Sequence, residues 1–212
     1  MRNYWATIPK EEKANVLTHL IGIPINLFAI AYFSSKVSLP AAPRVYWGLV
    51  LYFFILVFLY VVSTTYHAVM EPILKHRLRI LDHITIYFMI AGTHTPLILT
   101  YLPNTYGYSC LAILWTIVLI GTVFKLFFVG RFEFLSVTLY VLLGWSALAT
   151  VPYMTEQLPP NVLFWLLVGA FFYMFGIIFY ALERIPYNHA VWHLFVLGGS
   201  TGHFMAILSC FV

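Results

Sequence analysis

The sequence contains little charge, few cysteines and a single aspartate. Asp, Glu, Lys and Arg together make up 8% of the 212 residues, whereas hydrophobic residues make up 62%. A water-soluble domain needs roughly a quarter of its surface residues to be charged, so this composition excludes one. The two cysteines, Cys110 and Cys210, exclude a disulfide framework and a cysteine-based zinc cluster. The net charge of +4 lies in connecting segments, which predicts membrane orientation and no nucleic-acid binding.

Apolar stretches long enough to cross a bilayer, about 20 residues each, recur along the chain. A hydrocarbon interior offers the backbone no hydrogen-bond partners, so each stretch is predicted to be a helix. We therefore expect one all-α, multi-pass integral membrane domain over residues 1–212, beginning with a short cytoplasmic segment at 1–13 that does not resemble a signal peptide. The seven predicted spans lie at approximately 14–34, 45–69, 79–101, 108–129, 133–152, 161–182 and 188–211.

The basic residues predict how these seven spans are oriented in a cell membrane. Seven spans place alternate connections on opposite sides, and an excess of Lys and Arg marks the cytoplasmic side. Only Lys36 and Arg44 fall on the side away from the N-terminus. We therefore expect a cytoplasmic N-terminus and a C-terminus outside, because the N-terminal side holds nine basic residues: Arg2, Lys10, Lys13, Lys75, Arg77, Arg79, Lys125, Arg131 and Arg184.

Histidines recur at one level of the predicted bundle. His67 lies near the cytoplasmic end of the second span, and His189 and His193 begin the seventh span from the same side. His189 and His193 are four residues apart, so they share a helix face about 6 Å apart along the axis, the spacing used in zinc proteases. Two histidines facing lipid headgroups can have the same spacing. His67 adds a third nitrogen, and three protein ligands with an open fourth position are typical of a catalytic zinc site.

Asp82 lies at the same level, near the start of the third span. A charge costs roughly 2.5–3.5 kcal/mol at the centre of a spanning helix and less toward its ends, so a cationic partner is expected. Asp82 is predicted to be either a fourth ligand or an acceptor for a metal-bound water. Ser63, one turn before His67, can bond this water or a substrate oxygen, but serines in membrane helices also bond backbone. A haem held by two histidines is a rival site, which leaves Asp82 unexplained.

Two further histidines are predicted to lie outside the metal site. His19 shares a helix face with Asn15 and Glu12, which indicates either a layer supporting the ligands or a contact with headgroups. His203 follows His193 by ten residues, about 15 Å of helix, which is too far for the same metal.

Three segments carry a resemblance to a known family. They are S-T-T-Y-H at 63–67, L-D-H-I-T-I-Y-F-M-I-A-G-T-H-T-P at 81–96 and H-A-V-W-H-L-F-V-L-G-G-S-T-G-H-F at 189–204. Together they resemble the hemolysin III family, within the group of progestin and adipoQ receptors that includes the adiponectin receptors and is distantly related to alkaline ceramidases. One departure is His94, which stands where an aromatic Tyr is expected in G-T-x-T-P.

The resemblance implies a seven-helix bundle with Zn2+ near the cytoplasmic face. It implies that His67, His189 and His193 are the zinc ligands and that Asp82 holds the zinc-bound water. Ser63 matches the serine that precedes the first ligand in the family. Its implied partner is a membrane lipid, as acyl-chain substrate or ligand; protein partners are not indicated.

Three functional hypotheses follow. The leading one is zinc-dependent hydrolysis of a lipid amide or ester, ceramidase-like, at the cytoplasmic leaflet, with Asp82 activating the water. The second is a non-enzymatic sensor or regulator of membrane lipid in which zinc is structural. The third is cytolytic activity, as the family name suggests, although the chain has no amphipathic pore-forming segment.

Overall fold

The computed structural model describes residues 4–38, 40, 42–154, 156–182 and 184–212. Arg2, used above to predict orientation, lies outside these residues. The described chain is helical, without a strand in any of these ranges. Its helices are α1 (Tyr4–Thr7), α2 (Lys10–Leu20), α3 (Gly22–Lys36), α4 (Pro43–Ala68), α5 (Pro72–Tyr101), α6 (Thr105–Phe128), α7 (Glu133–Trp145), α8 (Ala147–Met154), α9 (Pro160–Ala181) and α10 (Asn188–Ser209).

Six helical segments among the described residues are long and apolar enough to cross a membrane. They match six of the seven predicted spans, and the bounds differ by a few residues because polar residues at the ends also join the helices. These segments are Lys10–Lys36, Pro43–Ala68, Thr105–Phe128, Glu133–Met154, Pro160–Ala181 and Asn188–Ser209.

The predicted span 79–101 lies inside α5, which is helical for 30 residues but does not belong to this set of six. Its lower apolarity has a plain cause, because Asp82, His83, His94 and several threonines interrupt its hydrophobic residues. The coarse architecture is therefore an all-helical chain with six apolar spans. The count of seven and the direction of the termini stay predictions.

Two of the six segments are interrupted. α2 and α3 are separate helices on either side of Ile21, three residues before Pro24. A proline ring inside a helix clashes with the carbonyl four residues earlier, here that of Leu20, and removes a hydrogen bond. α7 and α8 are separated at Ser146.

α4 and α10 form the centre of the molecule. Half of the most apolar stretch of each is buried, compared with 17% for α9. α10 packs along α9 and against α2, and α4 packs along α5 and against α2. The shared core includes Tyr52, Leu56 and Tyr60 on α4 and Ala206 and Ile207 on α10. The candidate site residues of α4 and α10 therefore lie on the helices whose apolar stretches are most buried.

Glycines allow α9 and α10 to approach closely. A Cβ atom at Gly202 would lie 2.7 Å from the backbone nitrogen of Gly169, a distance that real Cβ atoms do not tolerate. Membrane helices associate through such small residues because lipid provides no hydrophobic force between them.

A partly buried ion pair joins the ends of α6 and α7. Nζ of Lys125, whose side chain is fully buried, donates to Oε2 of Glu133 at 3.2 Å. The backbone N–H of Gly130 donates to Oε1 of the same residue at 3.1 Å. Arg79 of α5 lies 3.6 Å from this carboxylate, so three helices meet at Glu133.

Candidate metal centre

Three histidines from two helices converge. One ring nitrogen from each of His67, His189 and His193 lies within 4.8 Å of the other two. The ring centroids are 4.6 Å apart for His189 and His193, 4.9 Å for His67 and His193, and 5.1 Å for His67 and His189. Imidazole nitrogens are suitable ligands for zinc, copper, iron and nickel. The predicted ligands therefore lie together and can hold a metal ion.

The local sequence fixes where these histidines lie. His67 is in the last turn of α4, which ends at Ala68. The residue before a proline avoids helical geometry, and Glu71, which precedes Pro72, has an extended backbone. α10 begins directly after Tyr187, whose φ of 59° is left-handed and turns the chain. His189 and His193 then follow in its first two turns.

Glu12 of α2 orients the His67 ring. Nδ1 of His67 donates to Oε2 of Glu12 at 2.6 Å, because a carboxylate only accepts. This bond leaves Nε2 with a free lone pair, and within the described part of the chain this buried atom has no hydrogen-bond partner. Metal-binding histidines usually donate their second nitrogen to a carboxylate or carbonyl. Lys75 lies 2.9 Å from the other Glu12 oxygen and holds it in place.

The His193 ring is oriented by the same helix. Its Nδ1 donates to the carbonyl oxygen of Asn15 at 3.2 Å and lies 3.1 Å from Oγ1 of Thr18. Its Nε2 is thereby left as the nitrogen that can bind a metal. The α2 face was predicted either to support the ligands or to contact headgroups. The geometry favours the supporting layer.

His19 is close to the three histidines although the sequence did not assign it to the site. Its ring stacks on His193 with centroids 3.5 Å apart and packs edge-on against the ring of Tyr60. Both ring nitrogens are buried and lack a hydrogen-bond partner among the described residues. In the sequence, His19 could be noticed because it shares a helix face with Glu12 and Asn15. That pattern did not reveal which helix packs against this face.

A cavity of about 480 Å³ reaches part of this histidine cluster, and His67 does not line it. His189, His193, Ser63 and Asp82 all line it, and helices α5, α7, α8, α9 and α10 supply most of its other walls. Oγ of Ser63 is buried and, in the described ranges, has no hydrogen-bond partner, so the alternative of a serine bonded to its own backbone does not hold. Asp82 lines the same cavity, but it does not belong to the group of three histidines, which contains no carboxylate among the described residues.

Comparison with known proteins finds a matching family model and several relatives. A family model described as Haemolysin-III related matches residues 8–204. The chain is 38% identical over 199 residues to Hemolysin-3 of Bacillus cereus, which covers 94% of this chain and 91% of that protein. It is 38% identical over 202 residues to the Hemolysin-3 homolog of Bacillus subtilis (strain 168), with 94% and 93% covered. Monocyte to macrophage differentiation factor of Homo sapiens is 26% identical over 155 residues, with 70% and 64% covered.

Proposed function

The chain belongs to the Haemolysin-III related family and is a multi-pass integral membrane protein, and on that premise we propose that it is a zinc-dependent hydrolase of lipid amides or esters at the cytoplasmic leaflet. One observation carries the proposal. Three histidines converge, and two of them, His189 and His193, line a cavity that Asp82 and Ser63 also line. A metal with only a structural role would not need such a cavity beside it.

The side chains have distinct roles in this proposal. Zinc, when bound by His67, His189 and His193, supplies a Lewis acid that polarises a carbonyl and lowers the pKa of a water. Asp82 accepts a proton from the attacking water and returns it to the leaving group. The hydroxyl of Ser63 donates to the oxyanion that develops on the carbonyl. Water adds across the acyl bond, and a fatty acid and an amine or alcohol are released.

The proposal includes the membrane arrangement of the whole chain. We infer that α5 also spans the membrane, as the third of seven spans in chain order. It packs between α4 and α6, and its 30 residues exceed the length a bilayer requires. The N-terminus then lies inside and the C-terminus outside. Reporter domains fused to each end of the chain should be accessible from opposite sides of the membrane; accessibility from one side would overturn this arrangement.

Replacement of Asp82 by Asn tests the enzymatic role. The amide preserves shape but cannot accept the proton, so we expect a loss of at least about 100-fold in turnover, the usual contribution of general acid–base catalysis. The measurement is release of fatty acid from ceramide-like amides and related esters by the purified protein, with and without a chelator. Zinc content is measured by elemental analysis on the same samples.

The matched control is Glu11→Gln, which removes a carboxylate from an exposed position beside the supporting helix face. It should leave both turnover and zinc content unchanged. Zinc bound without chelator-sensitive release from any lipid would contradict the hydrolase and support the regulator with structural zinc. Loss of zinc from Asp82→Asn would instead make Asp82 a ligand.

Lysis of cells is a second candidate, favoured by the names of two relatives that are each 38% identical to this chain. Purified wild-type protein added to dye-loaded vesicles tests it. Dye release that persists in Asp82→Asn would establish a lytic activity independent of the proposed hydrolysis, whereas intact vesicles would remove this candidate.

A further inference from the structure

The far end of the cavity carries a second set of polar side chains. His94 of α5, Tyr173 of α9 and His203 of α10 line the same cavity as His189 and His193. The rings of Tyr173 and His203 are 5.3 Å apart. The wall between the two polar ends is apolar and includes Met89 and Val196.

Two polar atoms in this distal set are buried without a partner. Nε2 of His94 and the hydroxyl of Tyr173 have none within the part of the chain that the structure describes. Roughly 90% of buried polar groups in proteins are hydrogen-bonded, so two such atoms in one cavity wall indicate a ligand. Nδ1 of His94 donates to the carbonyl of Ile90 at 2.8 Å, which makes Nε2 an acceptor.

The chemistry of these two atoms selects a hydroxyl group. Nε2 of His94 needs a donor, and the phenol of Tyr173 can both donate and accept. A hydroxyl supplies a donor and an acceptor at one oxygen. A carboxylate or a ketone has no hydrogen to offer to His94, and a plain hydrocarbon satisfies neither atom.

The separation of the two polar ends corresponds to the length of an acyl chain. His94 follows Asp82 by 12 residues, about 18 Å of helix, and His203 follows His193 by ten, about 15 Å. Two helices therefore give a similar distance. This distance between the two polar ends is about half of the roughly 30 Å apolar thickness of a bilayer, which is the depth that the lipid chains of one leaflet fill.

From this arrangement we propose that the cavity binds lipids whose acyl chain carries a hydroxyl group in its distal half. The carboxyl end of the chain lies at His67, His189 and His193, and the hydroxyl lies between His94 and Tyr173. The inference rests on the proposed function, because it names the substrate class of the same site. His94 and Tyr173 are specificity-determining residues, remote from the acyl bond.

Binding of fatty acids tests this inference without any turnover. Purified full-length protein in lipid nanodiscs is loaded with radiolabelled stearic acid, which is then displaced by unlabelled stearic acid or by a hydroxystearic acid with its hydroxyl in the distal half. We expect the hydroxylated acid to bind about five- to tenfold more tightly, as one or two buried hydrogen bonds predict. Equal affinities in the wild-type protein would overturn the proposal.

Matched variants separate the hydroxyl contact from folding. Tyr173→Phe and His94→Leu should each bring the affinity ratio toward one while leaving the affinity for stearic acid within about twofold. Tyr87→Phe is the control, because Tyr87 is also fully buried but packs against Tyr140 and does not line the cavity. It should keep the wild-type ratio, and a ratio that collapses in this control as well would contradict the assignment.

The same measurement distinguishes this inference from the hydrolase proposal. Asp82→Asn should retain the preference for the hydroxylated acid, because binding needs no proton transfer. A protein that releases no fatty acid from any lipid but still prefers the hydroxylated acid would refute the hydrolase alone. A protein that releases fatty acid from lipids but binds the hydroxylated and plain acids with equal affinity would refute the distal site alone.

Discussion

Glu12 is the residue whose removal most directly tests how the metal centre is held. Its carboxylate accepts from Nδ1 of His67 and thereby leaves Nε2 available to the proposed metal. Replacement by Gln weakens this bond and permits the other tautomer, so we expect zinc affinity to fall by about 10- to 100-fold. Competition with a calibrated zinc chelator measures the change.

The control for this prediction is again Glu11→Gln, which lies one position away and is exposed. It should bind zinc as the wild-type protein does. Unaltered affinity in Glu12→Gln would mean that the carboxylate does not orient the ligand.

At this scale the sequence predicted that three histidines lie at one level, which the structure shows, but it did not predict their surroundings. His67, His189 and His193 could be found because spacing and topology bring them to one level. Glu12 and Asn15 shared a face with His19, yet a helix face does not reveal which helix it contacts. His94, Tyr173 and His203 were missed as a set because they are remote from one another in sequence and meet only through tertiary packing.

At the scale of helices, the contact of α9 with α10 is sensitive to side-chain size. Gly202→Ala places a methyl group against the backbone of Gly169, and the two helices must separate. Overpacking of this kind typically costs about 1–3 kcal/mol, so the thermal midpoint should fall. Differential scanning fluorimetry of the purified protein gives the midpoint.

Gly144→Ala is the matched control in α7. A Cβ atom there meets nothing within 4 Å in the described part of the structure. Alanine also favours helix over glycine, so the midpoint should stay or rise slightly. A similar fall in both variants would show that the effect is not due to the contact between α9 and α10.

The start of α5 provides a prediction of pH dependence. The carboxylate of Glu71 accepts from the backbone N–H groups of Leu74 at 2.6 Å and Ile73 at 3.0 Å, which lowers the pKa of Glu71 below its ordinary value of 4.5. Because the folded pKa is the lower one, the carboxylate stabilises the fold above pH 4.5, and this stabilisation is lost as pH falls through the folded pKa.

Glu71→Ala should therefore lower the thermal midpoint at neutral pH, and the difference from wild type should shrink below pH 4.5. Midpoints measured across the acidic range test this. Glu156→Ala, at an exposed position between α8 and α9, should show no comparable difference at neutral pH. A difference for Glu71→Ala that is constant with pH would point to helix propensity in place of the charged cap.

The sequence predicted most of the helices because length and apolarity determine them. It did not predict the separations at Ile21 and Ser146. At Ile21 the reason is that a proline such as Pro24 can either kink a helix or interrupt it. For α5, the same polar residues that predict a site make the segment less apolar than its neighbours.

For the whole molecule, the three histidines of the candidate metal centre lie at the end of α4 and the start of α10, the two central helices, so a metal bound there would link these helices. A ligand that binds only the folded state stabilises it, by about 2.7 kcal/mol at 100 times its Kd. Removal of zinc by a chelator should therefore lower the thermal midpoint of the wild-type protein, and added zinc should restore it.

His189→Ala should abolish this response to zinc because it removes one of three ligands. His76→Ala removes an exposed histidine of α5 and should keep the full response. A response that survives in His189→Ala would place the stabilising zinc elsewhere.

The apolar cavity has a practical consequence for handling this protein. In the proposed function its walls hold a hydrocarbon chain about as long as one leaflet is deep, and the alkyl tails of common detergents have this length and chemistry. A detergent micelle is thus a reservoir of competitor for the very space that a substrate needs. Long-tailed detergents should raise the apparent KM of any lipid substrate, and short-tailed ones should not.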